Sequence, residues 1–370
     1  MHILFAGGGT AGHINPALAV AEYIKQKHPD TKISYIGTAK KLEAKLVPEK
    51  GYDFYSIEVS GFQRSLSPVS VVRNVKAAVC AVTASVKSRK LLKKLNPDLV
   101  VGTGGYVSGP VLSQAAKMGF KTAIHEQNAY PGITNKMLSA NVDRVMLAMP
   151  EAEKRFKLNK KPDIVGNPVR PELTKISKKD AKAKLGFDNR PVILSFGGSL
   201  GAENINNSIA EFIKYHNSDE KYYHIHATGK AGYEDMINML SDIKLSKNIH
   251  IREYITDMDV CMAAADIVIC RAGAITLSEL AVCRKPSILI PSPYVAENHQ
   301  FHNAMTLKKA GAAEVIEEKS LNGKKLISTI EKLLSDNDKL ENMSKNAQKV
   351  AIDDANERIY RVLTELISAE

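Results

Sequence analysis

The sequence is poor in the features that mark membrane-spanning and secreted proteins. It has 370 residues without a tryptophan, and none of its apolar runs approaches the roughly 18 residues that a transmembrane helix needs. Strand-like sequence begins at His2, so we expect no signal peptide. Hydrophobic residues make up 44% and charged residues 25%, as in ordinary globular proteins. We therefore expect a cytosolic protein that is at most peripheral to a membrane.

Cysteine is scarce, and its spacing argues against two kinds of site. There is no Cys-x-x-Cys pair and no zinc-ligand pattern among Cys80, Cys261, Cys270 and Cys283. Free thiols in a reducing compartment are the simplest interpretation. His224 and His226 alternate along a predicted strand without partners at metal spacing, which favours a structural role. No P-loop lysine motif or catalytic Ser/His/Asp order occurs, and we expect neither a metal nor a cofactor.

Acidic residues are missing from one long segment. Residues 59–97 contain eight Lys or Arg and no Asp or Glu, in a chain of net charge +11. Valines recur at helical spacing in this segment, at Val72, Val75, Val79, Val82 and Val86. Two interpretations stay open: the valines pack into a domain core, or they join the basic residues in docking on an anionic membrane surface. The segment is rich in valine rather than in base-stacking aromatic residues, which counts against nucleic acid.

One pattern, a strand followed by a glycine turn and a helix, occurs twice. Residues 2–6 lead into Gly7, Gly9 and Gly12, and residues 192–196 lead into a second glycine turn. Two copies about half a chain apart predict an α/β protein with two Rossmann-like domains facing across a cleft. A stretch rich in Lys, Pro and Gly separates the copies, so the predicted domains are residues 1–165 and 166–349.

The first glycine turn does not fit an NAD site. A dinucleotide fold places a carboxylate at the end of the second strand, and none follows residues 32–36 until Glu43. A general phosphate or sugar loop remains. His13 lies at the helix start, where the helix dipole disfavours imidazolium; a general base and a helix-cap histidine are equally compatible with that position.

A second candidate site follows the predicted strand at residues 266–270. A turn at residues 271–273 leads into a helix, and the unpaired N–H groups of such a helix start suit a diphosphate. Glu279 in the first turns of this helix has two interpretations, a ligand of a ribose diol or a solvated helix glutamate.

Several short motifs stand together in one order along residues 1–304. They are Gly8 to His13, Gly102 to Tyr106, His125 to Asn128, Gly166 to Arg170, Gly197 to Ala202, Arg271 to Ala274 and Asn298 to Gln300. With this ordered set the chain resembles the MurG family of bacterial glycosyltransferases. That family adds N-acetylglucosamine, from UDP-N-acetylglucosamine, to the C4 hydroxyl of a lipid-linked muramoyl-pentapeptide in cell-wall synthesis.

The resemblance implies a GT-B fold with the donor on the C-terminal domain and the lipid acceptor on the N-terminal one. It implies an inverting transfer with His13 as base and Glu126 as the second candidate, at the cytoplasmic face of the membrane. It also implies that a last helix, at about residues 350–370, returns to the first domain. A GT-B epimerase acting on the same UDP-sugar, or a glycosyltransferase for another acceptor, remains the alternative.

The resemblance also implies roles for individual residues. The implied donor contacts are Thr10, Ala11, Gly12, Asn128, Arg170, Ser199, Ile255, Ala274, Ile275, Thr276, Leu277, Ser278, Glu279 and Gln300. Among these, Ile255 would contact uracil, Glu279 the ribose, Arg170 and Ser199 the diphosphate, and Asn128 and Gln300 the sugar. The implied acceptor contacts are Gly104, Gly105 and Tyr106. The chain departs from the family pattern at Ala11, where glycine is usual, and at Leu200, where glutamine is usual.

Overall fold

Buried strands that alternate with helices build two parallel sheets, one in each half of the chain. The computed structural model describes residues 1–60, 68–158, 160–198 and 201–369, and for residues 68–78 the backbone alone. The chain forms two compact units: unit 1 comprises Met1–Pro168 with Asp354–Glu370, and unit 2 comprises Val169–Asp353. The structure therefore divides after Pro168, where the sequence predicts a division after residue 165.

Unit 1 contains a seven-stranded sheet in the order β3-β2-β1-β4-β5-β6-β7, with parallel neighbours. The strands are β1 (His2–Gly7), β2 (Lys32–Gly37), β3 (Asp53–Ser56), β4 (Leu99–Gly104), β5 (Lys121–Glu126), β6 (Arg144–Leu147) and β7 (Asp163–Ile164). Its helices are α1 (Ala11–Lys27), α2 (Glu43–Glu49), α3 (Pro68–Leu95), α4 (Gly105–Lys117), α5 (Ile133–Leu138) and α14 (Ala355–Ser368). The sequence analysis does not predict β3 and β7.

Unit 1 has a hydrophobic core on each face of its sheet, because alternate strand residues point to opposite faces. Ile3 and Phe5 pack with residues of α1 and α14, whereas Leu4 and Ala6 pack with residues of α3 and α4. All six residues of β4 are buried. Burial on both faces explains why these strands have apolar runs instead of an alternating pattern.

Unit 2 repeats the architecture with a six-stranded parallel sheet in the order β10-β9-β8-β11-β12-β13. Its strands are β8 (Val192–Phe196), β9 (Tyr223–Ala227), β10 (Ile249–Arg252), β11 (Ile267–Cys270), β12 (Ser287–Leu289) and β13 (Ala313–Val315). Its helices are α6 (Lys178–Leu185), α7 (Glu203–His216), α8 (Tyr233–Met239), α9 (Met258–Ala264), α10 (Ala274–Val282), α11 (His299–Lys309), α12 (Gly323–Leu334) and α13 (Asn337–Val350). In each unit the strand order reverses beside the first strand, as in a Rossmann fold.

The last helix, α14, belongs to unit 1. Ile359 and Leu363 are buried in the core that contains residues of α1. The Tyr23 hydroxyl donates to the Glu357 carboxylate, and the His28 ring contacts the Tyr360 hydroxyl. In the described part of the chain, no helix is both long enough and apolar enough to cross a membrane.

Candidate active site

Each unit has a topological switch point, the place where open α/β sheets bind ligands. In unit 1 the switch point lies between β1 and β4, so the turns after Gly7 and Gly104 border it. In unit 2 it lies between β8 and β11, bordered by the turns after Phe196 and Cys270. The predicted site residues follow these strands.

Unit 2 has a polar cavity of about 490 Å³ at its switch point, which we call the unit 2 cavity. Its lining residues come from four loops and helix starts: Gly197, Gly198, Gly201, Glu203, Asn204, Arg271, Ser292, Tyr294, Gln300 and Glu318. The helix α7 begins at Glu203 in this lining, and its N-cap residue Ala202 has no polar side chain to cap it. The first N–H groups of α7 are thus oriented for an anionic ligand.

A charged cluster forms one wall of the unit 2 cavity. The guanidinium of Arg271 pairs with the Glu318 carboxylate and donates to the Ile290 carbonyl at 3.2 Å. The other Glu318 oxygen accepts from Asn204 Nδ2 at 2.6 Å. The side chains of Arg271 and Glu318 are 14% and 7% exposed, so the pair holds this wall rigidly. Arg271 is predicted only as part of a motif, and Glu318 is not predicted at all, because no local sequence pattern identifies a partner 47 residues away.

Glu279 pairs with Arg170 inside unit 2. Arg170 Nε donates to Glu279 Oε1 at 2.9 Å, and the Glu279 side chain is only 10% exposed. The solvated-glutamate interpretation of Glu279 is therefore wrong. The guanidinium contact uses one carboxylate oxygen, which leaves the second oxygen and the outer guanidinium nitrogens for further hydrogen bonds.

The start of α10 has no side-chain cap, and its N-cap residue Gly273 is extended. Ile275 and Thr276 are half-buried, as is Ser278, whose hydroxyl donates to the Ala274 carbonyl at 3.2 Å. Leu277 differs from them, because its side chain is fully buried and its N–H donates to the Gly273 carbonyl. Direct contact of Leu277 with a ligand is therefore not expected, which corrects the sequence-based expectation for this residue.

The remaining predicted residues of unit 2 differ in their accessibility. Gln300 lines the cavity, and its Oε1 accepts from the Ser292 N–H at 2.9 Å. The side chain of Ile255 is 3% exposed, so any contact with a uracil must come from its main chain. Ser199 and Leu200 lie outside the described residues.

His13 lies in the first turn of α1, which begins at Ala11. Its Nδ1 is 3.3 Å from the Gly8 carbonyl oxygen and 3.4 Å from Thr10 Oγ1. A carbonyl oxygen only accepts, so this contact assigns the proton to Nδ1 and the lone pair to Nε2. The half-buried ring thus has the tautomer that a base at Nε2 requires.

The glycines after β4 let two turns of unit 1 approach closely. A Cβ at Gly104 would lie 2.8 Å from His13 Cδ2, and a Cβ at Gly105 would lie 2.3 Å from the Gly8 carbonyl oxygen. Both glycines have positive φ values, 109° and 78°. These positions therefore require glycine for the fold itself. Tyr106, the third implied acceptor residue, is 60% exposed.

Glu126 is a buried carboxylate whose two oxygens are both occupied. Oε1 accepts from the N–H and the Nδ2 of Asn128, each at 3.0 Å. Oε2 accepts from the Gly132 N–H at 3.0 Å and from Asn135 Nδ2 at 2.9 Å. Glu126 is 2% exposed. By accepting these four hydrogen bonds, Glu126 holds the loop between β5 and the start of α5 in place.

Glu43 is a buried carboxylate that binds the first glycine turn, a contact that the sequence does not predict. It is fully buried, and its oxygens accept from the Gly9 N–H at 3.3 Å and from the Thr38 N–H and hydroxyl at 3.0 and 2.7 Å. A Cβ at Gly8 would lie 2.3 Å from Glu43 Oε1. The glycine turn of unit 1 therefore binds the chain's own carboxylate, and the Gly9 N–H is not available to a phosphate. The only signal in the sequence was that Glu43 is the first acidic residue after β2.

The family models cover both units. Residues 3–147 match the glycosyltransferase family 28 N-terminal domain, and residues 192–359 match the glycosyltransferase family 28 C-terminal domain. A curated relative from Acetivibrio thermocellus is 50% identical over 368 residues, which is 99% of this chain and 98% of the relative. Its name is UDP-N-acetylglucosamine–N-acetylmuramyl-(pentapeptide) pyrophosphoryl-undecaprenol N-acetylglucosamine transferase.

Solved structures show the same architecture. Acinetobacter baumannii MurG has a TM-score of 0.81 at 28% identity, over 98% of this chain and 99% of that one. UDP-GlcNAc 2-epimerase from Neisseria meningitidis, solved with UDP-GlcNAc bound, has a TM-score of 0.68 at 15% identity, over 99% and 100%. The second likeness shows the fold alone. By sequence and by structure, the chain belongs to the MurG family of family 28 glycosyltransferases and has their two-domain GT-B fold.

Proposed function

We propose that the chain transfers N-acetylglucosamine from UDP-N-acetylglucosamine to the C4 hydroxyl of an undecaprenyl-diphospho-muramoyl-pentapeptide, with inversion at the anomeric carbon. The observation that carries the proposal is the 50% identity, over nearly the full length of both chains, to a transferase whose name states this donor and acceptor. In an inverting transfer the acceptor oxygen forms its bond to the anomeric carbon as the bond to UDP breaks. The hydroxyl proton passes to a base, and UDP leaves with the electron pair.

The geometry favours His13 over Glu126 as that base. A base needs a lone pair that the reacting hydroxyl can reach. His13 carries its lone pair on Nε2 and lies at the switch point of unit 1. Both carboxylate oxygens of Glu126 instead accept hydrogen bonds, from four donors in residues 128–135, and the side chain is almost fully buried. We assign Glu126 the role of holding Asn128 in position, with Asn128 as a contact for the sugar.

The unit 2 cavity is the proposed donor site. The start of α7, in the cavity lining, and the outer nitrogens of Arg170, outside that lining, are assigned to the departing diphosphate, for which they supply positive charge without a metal. Glu279 accepts from Arg170 with one oxygen, and the other oxygen is assigned to the ribose diol. The amide oxygen of Gln300 is used by Ser292, so its Nε2 is the group assigned to the sugar.

Gly12 supports a ligand at the first turn of α1. A Cβ at this position would meet nothing closer than Thr10 Oγ1 at 3.7 Å, so the fold itself has room for alanine. Glycine in a helix interior costs about 1 kcal/mol relative to alanine, and in the first turn, where Gly12 lies, it costs part of that. Close approach of the substrates to the turn formed by Thr10, Ala11 and Gly12 explains why this cost is retained.

We further propose that unit 1 docks on the anionic cytoplasmic face of the membrane, where a lipid-linked acceptor lies. Val79, Val82 and Val86 on α3 are 59%, 66% and 53% exposed, so they do not pack into the core. Val82 and Val86 line a groove of about 360 Å³ together with Arg89 and a residue of α4. The side chains of Val72 and Val75 lie outside the described residues.

A second helix of unit 1 also has exposed apolar side chains. Ile133 and Met137, one turn apart on α5, are 54% and 73% exposed, and α5 packs against α4 as α3 does. The exposed basic residues of α3 are Lys87, Arg89, Lys90, Lys93 and Lys94, and no ion pair is observed for any of them among the described residues. Apolar side chains for insertion and cations for phosphate head groups are what reversible docking needs.

The test of the proposed reaction is transfer of labelled N-acetylglucosamine from UDP to a lipid-linked muramoyl-pentapeptide. Label in the lipid fraction, dependent on both substrates, is the expected result. Conversion of UDP-N-acetylglucosamine without any acceptor would instead indicate the epimerase. Hydrolysis alone, with no label in the lipid, would contradict the proposal.

A further inference from the structure

Five polar side chains form a continuous hydrogen-bonded chain inside unit 2 that the proposed reaction does not use. They lie between the sheet and α7, and each is at most 4% exposed: Ser195 on β8, His224 and His226 on β9, and Asn206 and His216 on α7. Ser195 and His226 are register partners on neighbouring strands. We call this set the histidine chain.

The partners at one end of the histidine chain determine its direction. Asn206 Nδ2 donates to the Thr228 carbonyl at 3.0 Å, and because that carbonyl can only accept, Asn206 Oδ1 must face His226. His226 Nε2, 3.2 Å from this oxygen, therefore carries the proton. The lone pair of His226 is then on Nδ1 and accepts from the Ser195 hydroxyl at 2.8 Å.

The remaining proton positions follow in the same way, from Ser195 to His216 at the other end of the histidine chain. The Ser195 oxygen, having donated its proton, accepts from His224 Nε2 at 2.8 Å. His224 Nδ1 then accepts from His216 Nε2 at 3.3 Å. All three imidazoles are thus neutral Nε2–H tautomers pointing toward Thr228. Burial lowers the pKa of His216 and of His226 to about 4 and lowers that of His224 strongly, consistent with neutral rings.

The last acceptor of the histidine chain, the Thr228 carbonyl, lies against a residue that lines the unit 2 cavity. The Thr228 carbonyl lies against Gly201, where a Cβ would be 2.3 Å from that oxygen. Gly201 has a φ of 78° and lines the cavity as part of the glycine turn after β8. On its other side Asn206 is packed against Gly232, where a Cβ would be 2.3 Å from Nδ2. The Asn206 amide therefore has little freedom, and its orientation determines where Thr228 supports the turn.

We propose that Ser195 and His226 are positioning residues for the donor diphosphate. They orient Asn206, which holds the Thr228 carbonyl, and Thr228 in turn positions Gly201 in the lining of the cavity. This rests on the proposed assignment of the donor to the unit 2 cavity. A buried hydrogen-bonded network of this kind rigidifies its surroundings, and a lining residue that is already held in place does not have to be ordered when the ligand binds.

The experiment compares two buried serines of the same sheet. Ser195→Ala interrupts the histidine chain, whereas Ser287→Ala on β12 removes an equally buried hydroxyl that has no hydrogen-bond partner among the described residues. For Ser195→Ala we expect the Kd of UDP by calorimetry, and the KM of UDP-N-acetylglucosamine, to rise by about tenfold, as expected when a buried partner is left unsatisfied. kcat should stay near the wild-type value. Ser287→Ala should leave the Kd and the KM unchanged.

Imidazole nitrogen NMR gives a readout that does not depend on activity. Wild-type protein should show the Nε2–H tautomer at His216, His224 and His226, and Ser195→Ala should release His224, whose proton position depends on the Ser195 oxygen, from this single state. A lower melting temperature of Ser195→Ala with unchanged Kd would overturn the positioning role, as would equal effects of the two serine variants. A wild-type chain that binds no UDP would refute the donor site itself, which distinguishes that failure from the first.

Discussion

His13 and Glu126 are both polar groups at strand ends of unit 1, yet their surroundings suit them to different tasks. One ring nitrogen of His13 is held by the Gly8 carbonyl, which leaves the other nitrogen with the lone pair. Both oxygens of Glu126 are held by the loop that it organises. Glu126 is therefore suited to a structural role, whereas the His13 tautomer is the one that a base at Nε2 requires.

Substitution of these two residues should affect different properties. His13→Ala should lower kcat by about a hundredfold, with donor KM near normal, because general-base catalysis contributes on that scale. Glu126→Gln should lower the melting temperature, because its amide nitrogen would face N–H donors that need an acceptor. Steady-state kinetics and thermal unfolding on both variants provide the check. A near-wild-type kcat for His13→Ala, with a collapse of kcat in Glu126→Gln, would reverse the assignment.

A substitution at Glu279 tests the donor site at the level of a single residue. Glu279→Ala should weaken UDP binding by roughly 1–3 kcal/mol, the cost of losing a charged hydrogen-bond partner. The matched control is Glu314→Ala, which breaks the Lys339–Glu314 ion pair (2.8 Å) elsewhere in unit 2 and should leave the affinity unchanged. Calorimetric titration with UDP measures both. Equal affinity of wild type and Glu279→Ala would remove Glu279 from the site.

At the scale of elements, α3 combines a core face with an exposed apolar and basic face. Ala84, Ser88 and Leu92 are buried at helical spacing, whereas Val79, Val82 and Val86 lie on the exposed side. Apolar residues left exposed in a row are unusual for a helix that faces only water. The absence of acidic residues adds a cationic field to the same surface.

Charge reversal on α3 should weaken membrane attachment. Lys87→Glu/Lys90→Glu/Lys94→Glu should reduce co-sedimentation with anionic vesicles, because each cation near such a surface contributes about 1 kcal/mol. Lys324→Glu/Lys325→Glu/Lys332→Glu on α12 is the control, since those exposed lysines lie in unit 2. Added salt should weaken the wild-type attachment. Equal binding to anionic and neutral vesicles, or equal loss in both triple variants, would contradict docking through α3.

At the scale of the whole molecule, buried histidines in both units link stability to pH. Burial lowers the pKa of His125 in unit 1 and those of His216, His224 and His226 in unit 2. The folded chain then binds fewer protons than the unfolded chain below the ordinary histidine pKa of 6.5. Stability is therefore fully present above pH 6.5 and falls as the pH drops toward the folded values, about 4 for His216 and His226.

Acid should therefore destabilise the protein before its carboxylates are protonated. Between about pH 6.5 and 5 the free energy of unfolding should fall by on the order of 1 kcal/mol for each buried histidine that takes up a proton when the chain unfolds. Urea titrations followed by circular dichroism suit a chain that lacks tryptophan. A free energy of unfolding that stays constant over this interval would contradict the linkage.

Local patterns in the sequence were enough to predict the two-domain architecture and to identify the family. Apolar runs identify most of the strands because a parallel strand is buried on both faces, and glycine turns after β1 and β8 identify the two switch points. The short strands β3, β7 and β13 were not predicted, because two to four residues are too few to show a periodic pattern. The order of the motifs identified the MurG family, because several weak signals in one order are jointly specific.

Tertiary structure decided which groups of the site are occupied and which remain for substrates. The contacts of Gly9 with Glu43, and of Arg271 with Glu318, join residues 34 and 47 positions apart. No periodicity encodes such pairs, so the sequence left this turn as a general phosphate or sugar loop, whereas its Gly9 N–H binds the carboxylate of Glu43. Likewise the spacing of the α3 valines shows that they share a face, but only packing shows that solvent, not the core, meets Val82. Which side of a helix is covered depends on the elements around it, and those are brought there by the rest of the chain.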